Sequence, residues 1–197
     1  MNDHHHEIAE ERIHYFEQQE LRVEDFESSG YVLDLGGGGE GIIGKLKGAE
    51  VVAIDRSAPE LEEAPDGPLK IVMDATDLKF LDGAFNTITA FFTLMYVRGE
   101  GQHRRVFEEA FRVLAPGGRF LIWDVRFPPR EDPQKDIGAF PLLIHLPGES
   151  IQTGYGVLWP ENGRDLDDFV ALAEDAGFRV AKRAVEDRTL FLDLRKE

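Results

Sequence analysis

With 197 residues, 42% of them hydrophobic and 30% charged, the chain has the size and composition of one domain with a sizeable core. It contains no cysteine, which excludes disulfides, thiolate metal sites and cysteine nucleophiles. A formal net charge of -16 repels a phosphate backbone, so no nucleic-acid partner is expected, and the small basic clusters Lys45 to Lys47 and His103 to Arg105 read as solvated helix faces. No run approaches the roughly 20 apolar residues of a membrane span. The polar start MNDHHHEIAEER is unlike a signal peptide. The expectation is a cytoplasmic protein with no membrane partner.

Residues 4–27 place Ile8, Ile13, Phe16, Leu21, Val23 and Phe26 among acids and predict an amphipathic N-terminal helix with its exit turn. YVLDLGGGGEGIIGKLKG then reads as strand, tight turn and helix, because an apolar run ends in glycines before Ile42, Ile43 and Leu46 recur at helical spacing. EVVAIDRS and LKIVMDATDL predict two more buried strands, each ending in an acid, and FNTITAFFTLMYV a fourth. RRVFEEAFRVL has helical periodicity, and PGG at 116–118 stops it before the strand RFLIWDV. Residues 126–163 hold six of the ten prolines and show no sustained period, which predicts a loop-rich lid. DLDDFVALAEDAGFRV and TLFLDLRK close the chain as helix, strand, strand. The alternation predicts an α/β fold, a parallel sheet covered on both faces, in a single domain over 1–197.

The chemistry concentrates at the strand ends. Gly36, Gly37, Gly38, Gly39, Glu40 and Gly41 follow a strand and open a helix, and Gly36, Gly38 and Gly41 fit G-x-G-x-x-G. Asp55 lies about 20 residues on, where a carboxylate accepts from both hydroxyls of an adenosine ribose. NAD and S-adenosylmethionine both offer that ribose, so this acid does not choose between them. Asp34 does bear on the choice: two residues before Gly36, a carboxylate suits the ammonium and sulfonium charges of S-adenosylmethionine better than a pyrophosphate. Asp74 and Ala75, ending the third strand, offer an acceptor for the adenine amine and a backbone donor for a ring nitrogen.

VLDLGGGGEG, VVAIDRS, DATDLKFLDGAFNTIT and RVLAPGGRFLIWD together resemble the successive motifs of the class I S-adenosylmethionine-dependent methyltransferases, over residues 31–125 and more loosely 165–195. The resemblance implies a three-layer Rossmann-like sandwich whose seven-stranded sheet is mostly parallel, with the last strand antiparallel. It implies that Asp34, Gly36, Gly37 and Gly38 line the methionine part, Asp55 the ribose, Asp74 and Ala75 the adenine. Arg56 would sit beside the adenine face and Phe91 near the methionine half. Two departures stand out: Glu40 occupies the place of the usual third glycine, and Asn86 replaces the acid after Phe85.

Methyl transfer from a sulfonium is a direct displacement, which needs alignment and dryness, and a base only if the acceptor loses a proton. His14, Tyr15, His145, Tyr96 and Asp124 are candidate bases, and Tyr96 and Asp124, at strand exits, are the catalytic candidates placed nearest a substrate. Tyr15, Phe16, Phe140, Tyr155 and Trp159 are candidates to wall an apolar pocket. His4 to His6 read as a polar terminus or tag remnant. Ala90-Phe91-Phe92-Thr93 lacks the Asn/Asp-Pro-Pro-Tyr/Phe tetrapeptide of enzymes that methylate exocyclic or amide nitrogens, and the missing cysteines argue against arsenite as acceptor. The expectation is a small-molecule acceptor and no metal, with the oligomeric state left open.

Overall fold

The computed structural model describes residues 10–99 and 101–197, so His4 to His6 lie outside the described residues. In chain order its strands are β1 (Ile13–Tyr15), β2 (Gln19–Arg22), β3 (Val32–Leu35), β4 (Val51–Asp55), β5 (Leu69–Val72) and β6 (Phe85–Phe91), then β7 (Leu114–Val125), β8 (Ile137–Leu146), β9 (Glu149–Leu158), β10 (Arg179–Glu186) and β11 (Thr189–Arg195). The helices are α1 (Ile42–Lys47), α2 (Ala58–Glu63), α3 (Gln102–Val113) and α4 (Leu166–Ala176). The chain divides into two compact units, one formed up to Val23 and from Phe127 to Arg164, the other from Glu24 to Arg126 and Asp165 to Glu197.

The larger unit is built on a seven-stranded sheet in the order β10-β11-β7-β6-β3-β4-β5. Strands β7, β6, β3, β4 and β5 run parallel, and β11 runs antiparallel to both of its neighbours, as the resemblance implied. The short apolar strands VLDL and VVAID are buried on both faces because helices cover both. On one face Leu33, Leu35, Ile54, Ile88, Phe120, Ile122 and Leu192 form a core with Phe107 and Val113 of α3 and Phe169 and Ala173 of α4. The side chains of opposite parity, Asp34, Ala53 and Thr89, therefore point to the other face. Helix α2 is held by Ser57, whose hydroxyl accepts from the Glu60 amide, with a proline in its first turn.

The smaller unit corrects two expectations. Its described N-terminal residues form a 3-10 turn (Glu10–Arg12) and the strands β1 and β2, not a helix over 4–27. Gln19, Leu21 and Val23 are buried while Glu20 and Arg22 are exposed, a period of two that pairing with β8 reads out as strand. Within 126–163, residues 137–158 likewise form a hairpin instead of a loop-rich lid. Strands β8 and β9 pair antiparallel from Ile137 opposite Leu158 to Leu146 opposite Glu149, around a turn in which Gly148 sits at φ 89°. Phe140, Leu142, Ile144 and Leu146 are buried at alternate positions. The central Pro141 is tolerated because β1 pairs with residues 137–139 and β2 with 142–145, so the residue lacking an N–H falls in the gap between them.

Candidate functional site

Glycine is required at the turn after β3 by both conformation and space. Gly36 has φ 70°, and a Cβ there would lie 2.5 Å from Thr93 Cγ2 and Oγ1; the Thr93 hydroxyl donates to the Leu35 carbonyl at 2.7 Å and ties the ends of β3 and β6 together. A Cβ on Gly37 would lie 2.7 Å from Asp34 Oδ2 and 2.8 Å from Ala53 Cβ, and one on Gly38 2.6 Å from Glu60 Cβ and 3.0 Å from Asp55 Oδ2. The Gly37 amide donates to the Ile54 carbonyl and the Gly39 amide to the Glu60 carbonyl. The turn is thereby pressed against Asp34, Asp55 and Glu60, three carboxylates from β3, β4 and α2.

Their electrostatics differ. Asp34 is 2% exposed, and burial pushes its carboxyl up to about 7, opposed by the Thr89 hydroxyl that donates to Oδ1 at 2.7 Å and reinforced by the charge of Asp55. Glu60 is raised by burial and by Glu63, Asp55 and Glu40. Asp55 accepts the Ser57 amide at 2.8 Å, an Asx turn that fixes its side chain at the end of β4. A turn crowded by carboxylates repels a pyrophosphate and attracts a cation.

On the adjacent strand end, Asp74 Oδ1 accepts both the amide and the hydroxyl of Thr76, at 2.8 and 2.7 Å, and Oδ2 lies 3.4 Å from Arg56 Nε. Burial works against its ionised form, but these partners hold its carboxyl below the usual value. Ala75 is partly buried against the core. The segment that follows is clamped from α3. The Leu78 amide donates to Glu109 Oε2 at 2.7 Å, and Arg112 donates to the carbonyls of Leu78 at 2.8 Å and Phe80 at 2.9 Å. Glu109, Arg112, Thr89, Thr93 and Glu60 escape the sequence reading. Only Glu60 carries a local signal, as the third residue after the capping Ser57.

The remaining candidates separate. Phe91 is buried beside Phe92 and Trp123, with ring centroids at 4.9 and 5.9 Å. Tyr96 ends a 3-10 turn after β6 and is 44% exposed. Its phenol is pushed up to about 12 by partial burial and by Glu40, Asp124 and Glu60, so it keeps its proton at neutral pH. Asp124 is fully buried; Oδ2 accepts the amides of Leu94 and Met95 at 2.9 and 3.2 Å, and Oδ1 accepts that of Val125 at 2.9 Å. Its oxygens hold the turn that carries Tyr96, and the three amides occupy acceptor positions that a base would use. In the smaller unit, His145 lies between Ser150 at 2.8 Å and Glu20 at 2.7 Å. His14, Phe16, Phe140 and Trp159 form an aromatic cluster there, with His14 edge-on to Phe16 and Trp159.

Residues 33–122 match the methyltransferase domain family. A demethylmenaquinone methyltransferase of Thermus thermophilus is 37% identical over 126 residues, which cover 58% of this chain and 53% of that protein. One from Clavibacter sepedonicus is 41% identical over 88 residues, 42% of this chain and 35% of that protein. The chain thus spans about a third to a half of the length of these curated relatives. Among solved structures, an S-adenosylmethionine-dependent methyltransferase of Methanosarcina mazei superposes with a TM-score of 0.60 at 17% identity, covering 87% of this chain and 94% of that one. The sheet also separates the two cofactor readings left open by the ribose acid. The classic dinucleotide fold ends its strand order at a sixth parallel strand, whereas here the reversed β11 is inserted between β7 and β10. No helix among the described residues is long and apolar enough to cross a membrane. The match over residues 33–122 and the sheet order thus make this chain similar to the S-adenosylmethionine-dependent methyltransferases in that stretch and in fold.

Proposed function

We propose that the protein transfers a methyl group from S-adenosylmethionine to a small-molecule acceptor. The observation that carries this reading is the set of carboxylates, Asp34, Asp55 and Asp74, at the ends of three neighbouring parallel strands beside a glycine turn that admits no Cβ. Their chemistry fits the cofactor. Asp34 and the Gly36–Gly38 backbone would face the cationic methionine half, Asp55 the ribose hydroxyls, and Asp74 Oδ2 with the Ala75 amide the adenine edge. When bound, the cofactor supplies an electrophilic methyl group on a positively charged sulfur.

The chain's own part is to position and to exclude water. Asp124 fixes the 94–96 turn through the amides of Leu94 and Met95, and Tyr96 on that turn, protonated at neutral pH, donates a hydrogen bond that orients an acceptor oxygen instead of removing its proton. The relatives' names support an aromatic quinone-type acceptor.

A second reading, cofactor binding without methyl transfer, is favoured by one observation: a structure named as a [4+2]-cyclase shares the fold, with a TM-score of 0.58 at 17% identity, covering 86% of this chain and 76% of that one. Thermal-shift titration with S-adenosylmethionine, S-adenosylhomocysteine and NADH tests the cofactor, because a ligand that binds only the native state raises the melting temperature. Stabilisation by NADH alone overturns the proposal. Incubation with methyl-labelled S-adenosylmethionine and a demethylmenaquinone-type acceptor then tests transfer, and tight cofactor binding without labelled product across acceptor classes favours the second reading.

A further inference from the structure

Asp34 is an unusual place to keep a charge. It is the sole ionisable residue of β3, lies on the sheet face opposite the main core, and is 2% exposed. The groups packed around it do little to favour its ionised form. From β6 comes the Thr89 hydroxyl, and that strand carries no titratable side chain. From β4 comes Asp55, a like charge. Beyond Asp55 stands Glu60 of α2, raised by burial and by the charges of Glu63, Asp55 and Glu40. The cations of α1 are directed elsewhere: Lys47 is held by Asp25 and the Phe26 carbonyl, and Lys45 is exposed. The one hydrogen bond that favours a carboxylate over a carboxylic acid here is the one Thr89 gives to Oδ1 at 2.7 Å.

We propose that Thr89 is a positioning residue that sets the protonation of Asp34, and that binding of the cationic cofactor drives the Asp34 proton into solvent. The inference rests on the assignment of S-adenosylmethionine as ligand. Burial beside Asp55 leaves the free protein holding this proton up to about pH 7. A positive group brought within about 4–6 Å favours the carboxylate, so the acid ionises, one proton leaves to buffer, and the ligand gains a counter-charge beneath Gly37. Two consequences follow. Affinity falls about tenfold for each pH unit below the free Asp34 value, and proton release falls from about one per ligand at low pH towards none above neutrality.

Isothermal titration of the full chain with S-adenosylmethionine, in two buffers of different ionisation enthalpy between pH 6 and 7, counts the protons directly. The ligand's own α-amino group, near 7.7–8.0 when free, stays protonated in that window. The wild type is expected to release a proton on binding, more at pH 6 than at pH 7. Thr89→Val, which removes the hydroxyl at nearly equal volume, should release more at pH 7 and move the affinity profile to higher pH. Thr89→Ser should restore the wild-type profile. Asp34→Asn should bind more weakly, with no proton release and no slope with pH over this window. Equal heats in the two buffers for a wild type that binds normally overturn the proton linkage alone, and a Thr89→Val profile matching the wild type overturns the role of Thr89. Failure of the wild type to bind S-adenosylmethionine at any pH overturns the cofactor assignment and this inference with it.

Discussion

Replacing Asp124 separates a base from a structural cap. Its two oxygens accept three backbone amides, those of Leu94, Met95 and Val125, at 2.9–3.2 Å in a fully buried position. Asp124→Ala strands three buried N–H groups at about 1–3 kcal/mol each, a total of about 3–9 kcal/mol set against the roughly 5–15 kcal/mol of a typical domain. Asp124→Asn keeps one acceptor oxygen but turns an NH2 group towards amides that themselves donate, and should cost about 1–3 kcal/mol, or about 3–10 °C in Tm for a chain of this size. Differential scanning calorimetry of both variants, with the pH–rate profile of whatever transfer the protein catalyses, distinguishes the roles. A cap predicts a large loss of stability with an unmoved pH profile in the surviving Asn variant. A base predicts the reverse, so an Asn variant with wild-type Tm and a strongly reduced rate whose acid limb is lost would refute the reasoning.

Asp55→Ala should weaken S-adenosylhomocysteine binding by about 1.5–3 kcal/mol, the range for hydrogen bonds to a charged group, and calorimetry showing unchanged affinity would remove Asp55 from the ribose site. Gly36→Ala asks a side chain to adopt φ 70° and to sit 2.5 Å from Thr93, so it should lose at least about 1–2 kcal/mol of stability; an unchanged Tm would contradict the geometry. Asp34 also shapes stability without ligand. Its native value of about 7 exceeds the ordinary 3.8, so the folded chain holds a proton that the unfolded chain has lost, and stability falls as pH rises from about 4 to about 7. The contribution is of the order of 4 kcal/mol. Urea denaturation of wild type and Asp34→Asn at pH 4.5 and 7.5 should show the Asn variant gaining on the wild type as pH rises, and a constant difference would count against it.

Most of the larger unit was legible in the sequence because its signals are local. A strand buried on both faces reads as a mostly apolar run, and VLDL, VVAID and ITAF are short stretches of that kind, each with one polar residue. The cofactor-side candidates were legible for a related reason: glycine and aspartate at a strand end are conspicuous against aliphatic neighbours. The helix α2 went unnamed although Ser57, Pro59 and Glu60 spell a helix start. The smaller unit was misread for physical causes. Gln19 is a polar residue on a buried face and breaks the alternation of β2, while Pro141 marks as loop a strand whose missing donor falls where no partner strand lies.

The same contrast explains why the role of Asp124 had to wait for the fold. The sequence shows that a carboxylate ends the fifth strand of the larger sheet, as it shows for Asp34 and Asp55, and the three look alike on paper. What separates them is the company each keeps at a distance of 17 to 55 residues: amides of the 94–96 turn for Asp124, a threonine hydroxyl for Asp34, a glycine turn for Asp55. An aspartate that accepts three amides is tied to holding a turn, whereas one that accepts a single hydroxyl beside another carboxylate is left poised to trade its proton for a cation. Residue type locates chemistry along the strand ends, and hydrogen-bond partners decide which of those carboxylates can change charge when a ligand arrives.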